Sequence, residues 1–178
     1  MRWILGIAGI ALLGGVGAYF LFKPSSAVLQ EAGQTLATST PLTQGYSNTT
    51  YRFTLMMPEG FKAQESTDPQ TSSDVITLQN QSGDGIQILV SPFDEDTGSY
   101  ILTKERILQD IPGLAISNEQ PVNIGTNYIG LAFKSNNAAF DGDSREVWFV
   151  FHGNLYQIST YARLDPLLQA IFKTWQFI

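Results

Sequence analysis

A run of 20 residues without a charge, from Trp3 to Phe22, constrains this chain more than any other feature. The run is preceded by Arg2 and followed by Lys23 and Pro24. At about 1.5 Å rise per residue, a helix of this length is roughly 30 Å long, which matches the hydrocarbon core of a bilayer. The sequence therefore predicts an N-terminal transmembrane helix over residues 1–23 that tethers the protein to a membrane through residues 3–22.

The charges that flank this helix predict its orientation. Arg2 and the α-amino group precede the span, whereas Lys23 is the only cation close to its other end and Glu31 is the next charge. Cationic flanks favour the cytoplasmic side of a membrane. We therefore expect a single-pass protein of the cell membrane, with a cytoplasmic N-terminus and an extracytoplasmic C-terminal domain.

A cleaved signal peptide is the alternative for the same segment. Ser25 and Ala27 are small residues, three and one positions before a cut that would precede Val28. The apolar stretch is, however, longer than the usual hydrophobic region of about 7–15 residues in a signal peptide. The chain contains no cysteine, which excludes a lipid-modified cysteine as the anchor.

Small residues recur at four-residue spacing inside the predicted span. Ala11 with Gly15, and Gly14 with Ala18, give a small-xxx-small pattern that lets two membrane helices approach closely. This pattern predicts a homodimer through the anchor. The alternative is that glycine is simply common in membrane helices.

Composition divides the rest of the chain into a flexible linker over residues 24–45 and a globular domain over residues 46–178. The linker is rich in Ser, Thr, Ala and Gln, whereas the chain as a whole is 43% hydrophobic and 12% aromatic, too apolar for a disordered protein. With 10 Lys and Arg against 16 Asp and Glu, the formal net charge is −6. An acidic chain of this kind has no electrostatic surface for nucleic acid.

Hydrophobic periodicity predicts strands and two helices in the domain. The predicted strands are Tyr51–Met57, Asp74–Gln79, Gly85–Phe93, Pro121–Ile124, Tyr128–Lys134, Val147–Phe151 and Leu155–Tyr161, with Gly153-Asn154 as a hairpin turn. One helix runs from a cap at Ser99 to about Ile111, with an apolar stripe that includes Tyr100, and the other starts at Asp165 as cap with Pro166 at its first position. Because Val147–Phe151 is apolar on both sides, we expect an α/β (α+β) fold, a single antiparallel sheet with helices on both faces, which is an α/β/α sandwich.

Three short patterns in the domain resemble the PsbP-like family. They are Tyr51-x-Phe53-x-Leu55-x-x-Pro58-x-Gly60-Phe61, Trp148-Phe149-x-Phe151-x-Gly153-Asn154-x-Tyr156-x-Ile158, and Leu168-x-x-Ile171-x-x-Thr174-Trp175-x-Phe177. The resemblance covers about residues 46–178 and consists of turn and core positions. It implies a non-enzymatic domain, on the outer or lumenal side of a membrane, that binds or helps assemble membrane complexes. No functional residue of the family is carried over to this chain.

The side chains offer few sites for catalysis or metal binding. His152 is the only histidine, and no Gly-x-Ser-x-Gly motif accompanies it, so we interpret it as a structural hairpin residue. The turns Asp94–Gly98 and Asp141–Asp143, the latter with Glu146 nearby, lack the twelve-residue calcium-loop pattern and are interpreted as solvated loops. The sequence therefore assigns no catalytic residue, no cofactor and no metal site.

The function predicted from these features is a membrane-anchored, extracytoplasmic interaction or assembly module that is not an enzyme and whose partner is a membrane protein. A small-ligand-binding domain is the alternative, suggested by the aromatic side chains Tyr128, Phe140, Trp148, Tyr156 and Tyr161. A hydrolase that uses two carboxylates is a further alternative, since such an enzyme needs no histidine.

Overall fold

The computed structural model describes residues 41–68, 71–93 and 101–178. The predicted anchor, its small-residue pattern and most of the predicted linker lie outside these ranges, as do Asp94–Gly98, Ser99 and Tyr100. Within them, no helix is long and apolar enough to cross a membrane. The first described residue is Pro41 and a strand begins at Leu42, so residues 42–45, which were predicted to belong to the linker, form part of a strand.

The described residues form ten strands in two antiparallel sheets. The strands are β1 (Leu42–Asn48), β2 (Phe53–Pro58), β3 (Lys62–Asp68), β4 (Ser73–Gln79), β5 (Gly85–Pro92), β6 (Ser117–Ile124), β7 (Tyr128–Ser135), β8 (Ser144–Phe151), β9 (Asn154–Tyr161) and β10 (Gln176–Phe177). The helices are α1 (Lys104–Asp110) and α2 (Asp165–Thr174), with short 3-10 turns at Ala138–Phe140 and Ala162–Leu164. This arrangement confirms the prediction of a mixed α and β protein dominated by antiparallel sheet.

The prediction of a single sheet is wrong. Seven strands form a large sheet in the order β3-β4-β5-β9-β8-β7-β6, and β1, β2 and β10 form a separate sheet of three. The reason lies in β2, whose buried residues Phe53, Leu55 and Met57 pack in the same hydrophobic cluster as the large sheet. Because β2 covers the face of the large sheet, its backbone pairs with β1 and β10 instead of extending that sheet.

The first face of the large sheet carries the main core. Val147 and Phe149 of β8 lie in one cluster with Leu168, Ile171 and Phe172 of α2 and with the buried residues of β2. Trp175, which follows α2, is 2% exposed and stacks on Phe53 with ring centroids 4.3 Å apart. Leu168, Ile171 and Phe172 fall at helical spacing, so they form an amphipathic stripe that is buried against β2 and the large sheet.

The second face of the same sheet carries a smaller cluster. Trp148, which alternates with Val147 and Phe149 along β8, packs with Phe133, Leu155 and Ile107 of α1. The two helices thus contact opposite faces of the large sheet. The strand Val147–Phe151 is covered on both sides, which explains why it is apolar on both sides.

The ends of the helices differ from the predicted caps. Helix α1 is capped by Thr103, whose Oγ1 accepts a hydrogen bond from the Arg106 amide at 3.2 Å. Asp165 is the first residue of α2 and does not cap it, because its carboxylate pairs instead with Arg145 Nε at 3.1 Å. Pro166 is therefore the second residue of α2, and not the first as was predicted, but it still lies in the first turn, where its missing amide hydrogen is tolerated.

Candidate functional site

A groove of about 490 Å³ opens where four segments of the chain meet. These segments are the β1–β2 turn, the start of β7, the β8–β9 hairpin and the chain end after α2. The lining residues are Thr50, Tyr51, Arg52, Tyr128, Phe151, His152, Asn154, Tyr156, Phe177 and Ile178. Thr50, Arg52, His152 and Ile178 are exposed, so the groove is open on one side and is not an enclosed cavity.

Three half-buried rings form one wall of the groove. The ring centroids of Tyr128 and Phe151 lie 4.7 Å apart, those of Tyr128 and Phe177 5.0 Å apart, and those of Phe151 and Phe177 3.7 Å apart. Phe177 is held in place by β10, where it pairs with Phe53 of β2. We call Tyr128, Phe151 and Phe177 the aromatic wall. Its rings support one another and present a preformed apolar surface to solvent.

Two tyrosines add hydroxyl groups to the groove. Tyr51 donates a hydrogen bond to Asp74 Oδ2 at 2.8 Å. Burial and this hydrogen bond raise the pKa of the Tyr51 phenol above its usual value, so it remains a protonated donor at neutral pH. Tyr156 is buried beneath the groove, and its ring stacks on Phe149 at 4.7 Å. Burial, with a smaller contribution from Tyr51, raises the pKa of Tyr156 as well.

Arg52 is the cation of the groove and occupies a constrained turn. The turn is closed by the Tyr51 amide, which donates to Asn48 Oδ1 at 2.8 Å, and by the Ile178 amide, which donates to the Arg52 carbonyl at 2.8 Å. The φ angle of Arg52 is 54°, in the left-handed region. The backbone position of Arg52 is therefore fixed from both sides although its side chain is exposed.

His152 lies across the groove in the turn of the β8–β9 hairpin. The turn consists of His152 and Gly153, with φ angles of 47° and 72°, and not of Gly153 and Asn154 as predicted. Asn154 is instead the first residue of β9 and donates from its side chain to the His152 carbonyl at 3.2 Å. The imidazole stacks on Phe151 with ring centroids 4.0 Å apart, so it extends the aromatic wall to the rim.

The aromatic residues singled out from the sequence fall into three places. Tyr128 and Tyr156 line the groove. Trp148 packs in the cluster on the second face of the large sheet, and Phe140 packs against Tyr161 in a small separate cluster. The predicted aromatic set therefore does not form one pocket, although two of its members belong to the groove.

Glu146, which was associated with the Asp141–Asp143 turn, is buried in the large sheet. It is 3% exposed and accepts hydrogen bonds from Ser144 Oγ at 2.7 Å, from Asn137 Nδ2 at 3.3 Å and from Ser159 Oγ. Burial raises the pKa of this carboxyl, while those hydrogen bonds oppose the shift. In the part of the chain that the structure describes, no three His, Asp or Glu side chains are grouped as metal ligands.

The residues that line the groove supply aromatic, hydroxyl, amide, imidazole and guanidinium groups. None of its lining residues is Asp, Glu, Ser, Cys or Lys, so no pair of side-chain carboxylates lines it. What it offers is an apolar aromatic surface beside an arginine, an imidazole and an amide. Sequence reasoning missed Arg52, Phe177 and Ile178, because their proximity depends on β10, a strand of two residues that no periodicity reveals.

Comparison with solved structures finds a similar fold in cyanobacterial PsbP (CyanoP) from Synechocystis sp. PCC 6803, known from its solution structure. The match has a TM-score of 0.53 at 12% sequence identity and covers 84% of this chain and 99% of the other. The PsbP-like resemblance is therefore confirmed at the level of the fold. No family model and no curated protein sequence matches the chain.

Proposed function

We propose that this protein is a membrane-tethered, extracytoplasmic interaction module that holds a segment of a membrane-protein partner in the aromatic groove. The observation that carries the proposal is the aromatic wall, three mutually packed rings that remain half-exposed at the rim of the groove. Tyr, Phe and Arg are enriched at the centres of protein interfaces, where a few anchors supply most of the binding energy.

The open shape of the groove favours a chain segment over an enclosed small molecule. Exposed residues lie at both rims, Thr50 and Arg52 on the β1–β2 turn and His152 on the hairpin. A segment that lies along the groove can continue past these rims, whereas a small molecule would remain partly in water. The PsbP-like fold is compatible with this role, since the resemblance implies a non-enzymatic domain that helps assemble membrane complexes.

The tether and its orientation complete the proposal. Residues 3–22 would hold the domain at the outer surface of the cell membrane, and Ala11, Gly14, Gly15 and Ala18 would allow the anchors to pair. A topology reporter fused after Ile178 tests the orientation. Activity of a reporter that functions only outside the cytoplasm supports the proposed orientation. Activity of only a reporter that functions in the cytoplasm contradicts this orientation.

Binding of a small ligand is the second candidate, and the size of the groove supports it. A volume of about 490 Å³ is in the range of pockets that hold small molecules, and hydroxyl, amide and guanidinium groups converge on it. A ligand of this kind would remain with the purified protein and be identified by native mass spectrometry before and after denaturation.

Site-specific photo-crosslinking tests the proposed function. A benzophenone amino acid at Thr50 should crosslink the full-length protein in its native membranes to a membrane protein, and the same probe at Gln64, on the exposed strand β3, should not. Tyr128→Ser should remove the crosslink, whereas Ile129→Ser, which changes the exposed neighbour of Tyr128 outside the groove, should preserve it. Equal crosslinking from Thr50 and Gln64, or a crosslink that survives Tyr128→Ser, would contradict a groove-centred interaction.

A further inference from the structure

We infer that the groove selects an acidic segment of its partner, with a carboxylate held by Arg52 and a neighbouring apolar side chain packed on the aromatic wall. This inference rests on the proposed function and names the chemistry of the segment. Three independent features of the described residues carry it: the pairing of the arginines, the charge of the groove lining, and the backbone conformation at the two rims.

The first feature is the pairing of the arginines. Among the described residues, Arg106 pairs with Asp110, Arg145 Nε lies 3.1 Å from Asp165, and Arg163 Nη1 lies 2.6 Å from Asp84. Arg52 is the arginine of this part of the chain that forms no ion pair with a carboxylate. A guanidinium presents a planar fork of donors that matches a carboxylate, so an unpaired arginine on a groove is suited to a carboxylate from outside.

The second feature is the contrast between the groove and the rest of the protein. The chain has 16 acidic residues against 10 cations, yet no acidic residue is among those that line the groove. Asp74 lies behind Tyr51 and accepts hydrogen bonds on both oxygens, from Tyr51 at 2.8 Å and from Thr67 at 2.6 Å. The groove is thus a local exception to an acidic surface, and its cation is complementary to an acidic ligand.

The third feature is the backbone conformation at the two rims of the groove, which is unfavourable for the residue types that occupy it. Arg52 and His152 both have φ angles in the left-handed region, at 54° and 47°. Glycine or asparagine would occupy such positions at lower conformational cost, because the Cβ of other residues crowds the backbone there. Folding alone therefore favours neither an arginine nor a histidine at these positions, whereas recognition of an anion requires such groups.

A membrane surface is the less favoured source of the anion. An anionic lipid headgroup would also pair with Arg52, but the net charge of −6 repels an anionic bilayer, and a flat bilayer does not enter a groove. A peptide segment can place one carboxylate and one apolar side chain into the groove together. The proposal is therefore an acidic peptide, and vesicle binding is an outcome of the test that would overturn it.

Fluorescence anisotropy with two matched peptides tests the inference. The probes are fluorescein-labelled Gly-Ser-Asp-Phe-Glu-Ser-Gly and its amide counterpart Gly-Ser-Asn-Phe-Gln-Ser-Gly, titrated with the full-length protein in nonionic detergent. A charge-assisted hydrogen bond stabilises a complex enough to make the acidic peptide bind about tenfold more tightly than the amide peptide. Arg52→Gln should abolish that preference, and Lys62→Gln, which removes an exposed cation outside the groove, should preserve it. Equal binding of the two peptides by the unaltered protein would overturn the inference.

Two further measurements separate the possible failures. Arg52→Asn should retain or raise the thermal transition temperature while losing the peptide preference, which excludes misfolding as the cause of lost binding. Sedimentation with phosphatidylcholine vesicles, with and without phosphatidylserine, should show no Arg52-dependent binding, and such binding would overturn the peptide as ligand. If Thr50 crosslinks to a partner while the two peptides bind equally, the proposed function stands and the acidic selectivity fails.

Discussion

The two faces of the seven-stranded sheet are built from alternate residues of the same strands, yet they differ in chemistry. The first face is apolar and aromatic, with Phe149, Tyr156 and Trp175 in one continuous cluster that also includes β2 and α2. The second face has a smaller apolar cluster around Trp148 and Phe133, and along β8 it continues into the buried carboxylate of Glu146. The first face is organised for stability by packing, and the second depends in part on hydrogen bonds.

This difference also explains where the groove lies. The aromatic wall is the edge of the first-face cluster, where Phe151, Tyr128 and Phe177 are only partly covered. A binding surface that continues a rigid core is preorganised, because its rings are held by buried neighbours and lose little freedom on binding. Substitutions on the two faces test this comparison.

The largest expected effect is at Trp175. Trp175→Ala should destabilise the protein by about 3–5 kcal/mol, because the ring is buried and contacts Phe53, Phe149 and Phe172. Trp148→Ala should cost less, about 3 kcal/mol, since Trp148 is 6% exposed and packs in the smaller cluster. Urea unfolding followed by near-ultraviolet circular dichroism measures both. A larger loss at Trp148 would reverse the ranking of the two faces.

The next effect is expected at Gly125, which meets the end of α2. Gly125 has a φ of 59°, and a Cβ added there would lie 2.3 Å from the Trp175 carbonyl oxygen. Gly125→Ala should cost more than about 2 kcal/mol, because a left-handed conformation and a backbone clash combine. Gly60→Ala is the matched control, since Gly60 has a φ of 84° but no atom within 4 Å of the added Cβ, and it should cost only about 1 kcal/mol. Equal decreases in the free energy of unfolding for Gly125→Ala and Gly60→Ala would mean that the backbone near Gly125 accommodates the added Cβ without a loss of stability.

Periodicity predicted the strands that have a buried face, and it missed β1 and β3, in which few residues are buried. The buried residues Ile86, Ile88 and Val90 of β5 share one face, and β4, β7 and β9 start and end close to their predicted limits. Strand β3 has six exposed residues, so it carries no apolar alternation and is specified only by its pairing with β4. Strand β1 was missed for the same reason, and with it the separate sheet. Strand propensity and apolar alternation indicate which strands have a buried face, and few residues of the edge strands β1 and β3 are buried.

The groove could be predicted only in part, because it is assembled from segments distant in the sequence. Tyr128 and Tyr156 were candidate ligand contacts, and His152 was assigned to the β8–β9 hairpin, although it lies in the turn itself and not beside it. Arg52 and Phe177 are brought together by the Ile178 amide bonding to the Arg52 carbonyl, a contact across the whole domain. A left-handed backbone conformation at an arginine cannot be predicted from the sequence either, since glycine and asparagine are the residues that indicate such positions.

Glu146 gives the second face a pH dependence of stability in the acidic range. Burial raises its pKa in the folded state, so the folded protein binds more protons than the unfolded chain. The stability contributed by this group is complete below the unfolded pKa of about 4.3 and is lost as the pH rises through the folded pKa. In urea unfolding at pH values from 4 to 8, the free energy of unfolding of the unaltered protein should fall as the pH rises, relative to that of Glu146→Gln, which cannot ionise at this position. A constant difference between the two proteins would mean that Glu146 has the same pKa in both states.

The smallest effect is expected at the rim of the groove, where the two faces meet at the β8–β9 hairpin. His152→Asn places Asn before Gly153, the pair most favourable for two consecutive left-handed residues in a hairpin. The gain should be about 0.5 kcal/mol, because relief of the left-handed histidine is partly offset by loss of its stacking on Phe151. Differential scanning calorimetry of the unaltered protein and of His152→Asn measures the gain. A loss of stability would show that the imidazole stack outweighs the turn conformation, and His152 would then belong to the folded core of the first face and not to a rim retained for binding.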